Sequence, residues 1–413
     1  MELLLILLIV LLLAHGFAEI CRLLRLPRVV GQIMVGIILG TPFVSSWVLT
    51  NENMEIITSL ADIGIILLFF FVGLEINLLE FEKNARESLK ISLLNTSIPF
   101  ILGIALSLSF GLPKVTALLI GVALSVSAQS ISIDFLEEMK MLKSRVGQLI
   151  ITAGTVDDLI ELILVSVVLA MLHTAIGGTS IILLLGSILL FIVLVLIARA
   201  FLIPKALKYF EQSKNETSLF TGGLIITLIM AVFSEKLGLG SLIGALIGGV
   251  LVRQILVARG TKQGIVQTER MTSIMRTISF GFLVPIFFVW VGLNTNLSGI
   301  IDNLWFTLAI TVIAFVGTIG GTVLGVLWSK GSRHEGYIVG WGVNPKGDVE
   351  LVIASLALQK GIISSSIFSS IIFMAFVTTL VSPIVFRWLV KNYSTRESAS
   401  TVSQVKALHA KKS

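Results

Sequence analysis

The chain has little of what a water-soluble domain is built from. Only 13% of its 413 residues are charged, about half the share in a soluble domain. That excludes soluble globular, disordered and collagen-like readings. A single cysteine, Cys21, excludes a disulfide framework and reads as a small apolar residue. Four histidines, His15, His173, His334 and His409, are too scattered to suggest a metal site. The first apolar run lacks a basic leader and a small-residue cleavage site, so it is expected to stay as a helix.

What is abundant is apolar length. Hydrophobic residues make up 55% of the chain, and a spanning helix needs roughly 20 of them in a row. Cutting at charges, Pro and Gly predicts an all-α polytopic membrane protein of about 13 spans: 2–22, 28–48, 59–79, 89–111, 115–136, 146–172, 179–202, 217–234, 239–258, 276–297, 303–328, 335–358 and 364–389. Residues beyond about 391 are polar and predict a disordered tail.

The net charge of +6 reads as loop topology rather than nucleic-acid binding. Loops after odd-numbered spans, with the tail, carry 24 of the 30 Lys and Arg residues. Loops after even-numbered spans carry only Lys114, Lys236 and Lys360. The positive-inside rule then predicts a multi-pass cell-membrane protein with its N-terminus outside and its C-terminus cytoplasmic.

An internal repeat is visible. Val72-Gly73-Leu74-Glu75-Ile76-Asn77-Leu78 ends the third span and Val291-Gly292-Leu293-Asn294-Thr295-Asn296-Leu297 ends the tenth, 219 residues on. Gly31 and Gly36 in the second span match Gly244 and Gly249 in the ninth, 213 residues on. Spans 1–6 and 8–13 therefore predict two copies. Paired spans lie an odd number of helices apart, so the copies are inverted, as in many secondary transporters. The repeat also pairs Ser125-Val126-Ser127-Ala128-Gln129-Ser130 with Gly342-Val343-Asn344-Pro345-Lys346-Gly347. Both stretches are polar and helix-poor at mid-span, which predicts two discontinuous helices. Irregular backbone at that depth is tolerated only where it is buried in protein or lines a cavity, the best sequence pointer to a midplane binding site.

The acids sharpen this. Glu2, Glu19, Asp62 and Glu75 fall near span ends and Asp134 in the last turns of the fifth. Asp157 and Asp158 instead fall at the centre of span 6, with Glu161 one turn on. One charge there costs at least about 2.5–3.5 kcal/mol, and Lys346 is the only cation at that depth. Neighbouring carboxylates suit groups that alternate between a proton and a hard cation. Ser127, Gln129, Ser130 and freed carbonyls of span 5 are candidates to complete the shell. Lys346 and Asp348 suit the ends of half-helices by their charge, Glu350 stands a turn from Lys346, and Glu161, Lys346, Asp348 and Glu350 are auxiliary candidates.

Leu26-Pro27-Arg28-Val29-Val30-Gly31-Gln32, Gly36-Ile37-Ile38-Leu39-Gly40, Phe71-Val72-Gly73-Leu74-Glu75, Val156-Asp157-Asp158 and Pro345-Lys346-Gly347-Asp348-Val349-Glu350-Leu351 together resemble the cation:proton antiporter superfamily. The branch is similar to its second family: thirteen-helix, NapA-like sodium/proton antiporters, related to Kef-type potassium systems. The resemblance implies an elevator mechanism, two crossed discontinuous helices and a homodimer. It divides the chain into a dimerisation part (1–90 and 217–300), a core ion-transport part (91–172 and 301–390), a linker helix (173–216) and a cytoplasmic tail (391–413). It implies exchange of Na⁺ or Li⁺ for H⁺, with Asp158 as main carrier, Na⁺ held at Asp158 and Asp157, and no cofactor. The Kef-type branch usually carries Gln-Asp, so Asp157 favours sodium over potassium.

Two features depart from that pattern. Electrogenic members carry a Lys in the helix before the second discontinuous one, whereas span 11 has no basic residue from Asn303 to Trp328. Where some members carry Arg in the second discontinuous helix, this chain has Lys346; a Kef-type nucleotide-binding domain after span 13 is not expected either. With no second titrating partner, one-for-one electroneutral exchange is expected. A potassium/proton antiporter of the same fold and a non-transporting membrane sensor are the alternatives; an enzyme is not expected.

Overall fold

The computed structural model describes residues 3–24, 26–48, 50–75, 85–177, 181–206, 216–258, 262–347 and 349–410, all helix or short connection. In chain order the helices are α1 (Leu3–Leu23), α2 (Arg28–Leu39), α3 (Pro42–Val48), α4 (Asn51–Glu75), α5 (Ala85–Ser109), α6 (Lys114–Ser125), α7 (Gln129–Glu138), α8 (Arg145–Gly177) and α9 (Ile181–Ile197). They continue with α10 (Glu216–Lys236), α11 (Ser241–Ala258), α12 (Lys262–Ile278), α13 (Val284–Leu293), α14 (Leu297–Asp302), α15 (Leu304–Trp328), α16 (Arg333–Val343), α17 (Val349–Gln359) and α18 (Ser365–Ala410). Wider π-helical turns, Ala198–Leu202 and Ser279–Leu283, extend α9 and join α12 to α13. Eight described helices are long and apolar enough to cross a membrane; Arg28–Leu39, Lys114–Ser125, Ser241–Val257 and Val349–Gln359 are apolar but shorter.

Several expected boundaries move. The run 28–48 is two helices, because Gly40 and Thr41 close α2 and Pro42 opens α3, where its missing N–H costs nothing. Helix α4 starts at Asn51, eight residues before the apolar run, so Asp62 lies three turns inside it rather than near an end. The expected span 276–297 is the second half of one helical run beginning at Lys262. At 33 residues, α8 is longer than expected, and Glu161 rather than the Asp pair stands at its middle. The polar stretch past 391, expected to be disordered, continues α18 as helix to Ala410.

Lipid offers no hydrophobic drive between helices, so close backbone packing at small residues holds them together. A Cβ on Gly36 of α2 would lie 2.7 Å from Gly292 Cα of α13, and one on Gly73 of α4 would lie 3.0 Å from Gly249 Cα of α11. Gly31 approaches α1 in the same way that Gly244 approaches α10, with would-be Cβ contacts of 2.5 Å to the Phe17 carbonyl oxygen and 2.5 Å to Ala231 Cα. On α15 a stripe of Gly317, Gly321 and Gly325 presses on α5, within 2.8 Å of Pro99, 2.8 Å of the Leu94 carbonyl carbon and 2.6 Å of Ile91 Cα. That contact fixes the height and rotation of α5, which matters below.

The two predicted discontinuities are present. Helix α6 stops at Ser125, where Val126 turns extended, and α7 resumes at Gln129. Helix α16 stops at Val343 and α17 resumes at Val349. Residue 348 lies outside the described residues. The breaks meet: the Ala128 N–H donates to the Pro345 carbonyl at 2.7 Å, and the Ser132 hydroxyl donates to the Gly342 carbonyl at 2.7 Å.

Candidate functional site

Unwinding a helix inside a membrane frees backbone donors and acceptors that must be paired within the protein. Here two of them are paired by charged residues. Lys346, fully buried, donates its Nζ to the Val126 carbonyl at 2.6 Å. It therefore neutralises the negative end of α6, in the other break, rather than the end of its own helix. Glu161 does the converse: its Oε1 accepts the Ser127 N–H at 2.6 Å, placing a carboxylate at the positive N-terminal end of α7. Helix α18 secures the second break, the Thr379 hydroxyl donating to the Lys346 carbonyl and Asn344 Nδ2 to Ser382 Oγ at 2.8 Å.

Asp157 faces elsewhere. It is 1% exposed, and both its oxygens are held by α5. Oδ1 accepts from the hydroxyls of Ser92 and of Thr96, the latter at 3.2 Å, and Oδ2 accepts from Asn95 Nδ2 at 2.7 Å. Asp158 points about 100° around the helix from Asp157 and is half-buried. Three acids within five residues thus hold three positions: Asp157 on α5, Glu161 on the first break, and Asp158 partly open. No group of three or more His, Cys, Asp or Glu side chains that could hold a metal ion occurs among the described residues, in keeping with these separate directions.

The remaining candidates divide. Gln129 donates from Nε2 to the Ile151 carbonyl at 2.9 Å, so it ties α7 to α8. Gly154 makes room for it: a Cβ there would lie 2.8 Å from Gln129 Cδ. The Ser127 hydroxyl is buried with no hydrogen-bond partner among the described residues. Glu350 is fully buried at the start of α17. Ser130 lies in the first turn of α7, with its side chain outside the described residues, as is Asp348.

Sequence reasoning missed Ser92, Asn95 and Thr96. Their spacing of three and four residues on one face of an otherwise apolar helix was the available signal. It also missed Thr379 and Ser382, where a polar pair three residues apart interrupts another apolar helix.

Known proteins are similar to this chain in sequence and in fold. The chain matches the family described as sodium/hydrogen exchanger, transmembrane, over residues 4–392. It is 31% identical to the probable Na(+)/H(+) antiporter 3 of Methanocaldococcus jannaschii over 371 residues, 88% of this chain and 90% of that protein. Against the Na(+)/H(+)-K(+) antiporter GerN of Bacillus cereus it is 29% identical over 357 residues, 86% of this chain and 88% of that one. The solved structure of the sodium proton antiporter MjNhaP1 from M. jannaschii superposes with a TM-score of 0.68, covering 94% of this chain and 97% of that one at 18% identity. At that identity the likeness is one of fold. The family consists of membrane transporters rather than enzymes, and with a match over nearly its whole length this chain belongs to the sodium/hydrogen exchanger family.

Proposed function

We propose that the chain exchanges Na⁺ or Li⁺ for H⁺ across the cell membrane, with Asp158 carrying proton and cation in turn. One observation carries the assignment: of the three acids in mid-α8, Asp157 and Glu161 are buried, while Asp158 is half-buried and so within reach of an ion entering from outside. The cation is held by Asp158 and Asp157, with Ser127, Gln129 and Ser130 as the candidates to complete its shell and Glu161, Lys346, Asp348 and Glu350 as auxiliaries. The name of one relative, the probable Na(+)/H(+) antiporter 3 of M. jannaschii, supports this reading. GerN's name includes K⁺, which keeps potassium/proton exchange on the same fold as the second reading.

The architecture we infer has thirteen crossings in two inverted copies, counting α2 with α3, α6 with α7, α12 with α13 and α16 with α17 as one crossing each and leaving out the six-residue α14. Paired glycine contacts support it: α2 meets α13 at Gly36 and Gly292 as α11 meets α4 at Gly249 and Gly73. Copies would be expected to repeat such contacts in pairs. Spans 1–3 and 8–10 form the dimer side and spans 4–6 and 11–13 an elevator core, in the manner of the second antiporter family. The N-terminus lies outside, on the loop-charge argument.

The absence of any basic residue in α15, together with three neutral donors on Asp157, supports one-for-one electroneutral exchange. Cation-driven proton release from proteoliposomes tests the function, with K⁺ substituted for Na⁺ to rank the cations. Release by Na⁺ and Li⁺ with little by K⁺ is expected, and no release by any of them would refute exchange.

A further inference from the structure

Asn95 stands apart among the α5 donors. It is fully buried and its Nδ2 donates to Asp157 Oδ2, yet its own Oδ1 has no hydrogen-bond partner among the described residues. A buried amide oxygen left without a donor is costly. The amide cannot flip to relieve it, because that would set its oxygen against the Asp157 carboxylate. Asp157 therefore fixes the direction of the unsatisfied oxygen.

The count of acceptor positions completes the picture. A carboxylate offers about four. Oδ1 of Asp157 is filled by Ser92 and Thr96, whereas Oδ2 receives only Asn95. One position on Oδ2 therefore remains next to the unsatisfied Oδ1 of Asn95. The oxygen and nitrogen of one amide lie about 2.2 Å apart. With the hydrogen bond of 2.7 Å, the two oxygens are within about 5 Å of each other. A hard cation bound at roughly 2.3–2.6 Å from each ligand spans that separation.

We propose that Asn95 is a further cation-binding residue, whose Oδ1 joins Asp157 Oδ2 as a neutral hard-oxygen ligand for the transported ion. This deepens the exchange reading above and rests on it. A neutral oxygen adds a ligand without adding charge to a site that already holds Asp157 and Asp158, and its reach from α5 sets the width of the site. The glycine stripe of α15, by fixing where α5 sits, then fixes the position of this ligand.

The test uses the full chain in proteoliposomes, with insertion and melting temperature measured in parallel. Asn95→Leu removes the oxygen and the donor; Ser92→Ala removes an anchor of Asp157 and leaves the Asn95 oxygen in place. A rise in the Na⁺ KM of about tenfold for Asn95→Leu, against about threefold or less for Ser92→Ala, is expected from losing one ligand to a charged partner. An unshifted KM in Asn95→Leu, or equal rises in both variants, overturns the assignment. Should Asn95→Leu fail to fold, Asn95→Gln replaces it: the longer arm narrows the site, so preference for Li⁺ over Na⁺ should rise, and an unchanged ratio overturns the proposal. Wild-type vesicles without cation-driven proton release would remove the exchange reading and this one together. Native exchange with an unshifted Asn95→Leu KM removes this one alone.

Discussion

Lys346, in the second helix break, donates its Nζ to the carbonyl of Val126, in the first, at 2.6 Å. The bond makes the two breaks one unit, reinforced by Ala128 N–H to Pro345 carbonyl at 2.7 Å. Lys346→Met keeps the volume of the side chain and removes the donor. The Val126 carbonyl and the negative end of α6 would then be unpaired in a dry interior, costing about 2–3 kcal/mol. A lower melting temperature in detergent and weak exchange are expected, and native values for both would show that the bond is dispensable.

Close helix crossings should tolerate no added methyl. Gly36→Ala would drive a Cβ to within 2.7 Å of Gly292 Cα, where only backbone can give way; overpacking of this kind costs about 1–3 kcal/mol or more. Gly320→Ala on α15 meets nothing within 4 Å and gains helix propensity, so stability should hold or rise by about 0.5–1 kcal/mol. Thermal unfolding of the two purified variants separates them, and equal behaviour would mean that the α2–α13 contact is not tight.

Voltage should not drive the exchange. Asp157 is held by three neutral donors and α15 supplies no cation, so under the proposed function one carboxylate is expected to trade its proton for Na⁺ in each cycle. In proteoliposomes with a clamped potential, a sodium gradient should balance an equal proton gradient at every voltage. A balance point that moves with voltage contradicts this stoichiometry.

Much of the candidate site was legible because membrane depth makes polarity expensive. Ser125 to Ser130 and Gly342 to Gly347 announced the breaks, since neither stretch belongs in an apolar helix, and Asp157 and Asp158 stood out for the same reason. What lies across helices was not legible. Nothing local says that Lys346 serves the opposite break rather than its own, or that Glu161, four residues from Asp157, parts from it to bind Ser127. Ser92, Asn95 and Thr96 are residues that an apolar helix hides easily, because small hydroxyls there can also bond their own backbone. The start of α4 was masked by Asn51, Glu52, Asn53 and Glu55, whose polarity ends an apolar run without ending a helix.

Asp158 is the group proposed to trade a proton for a cation, and Asp158→Asn tests that role most directly. The substitution keeps size and shape, so insertion and melting temperature should stay near native. Na⁺-driven proton release in proteoliposomes should fall to the level of protein-free vesicles. Exchange at the native rate by a normally inserted Asp158→Asn protein would contradict the account.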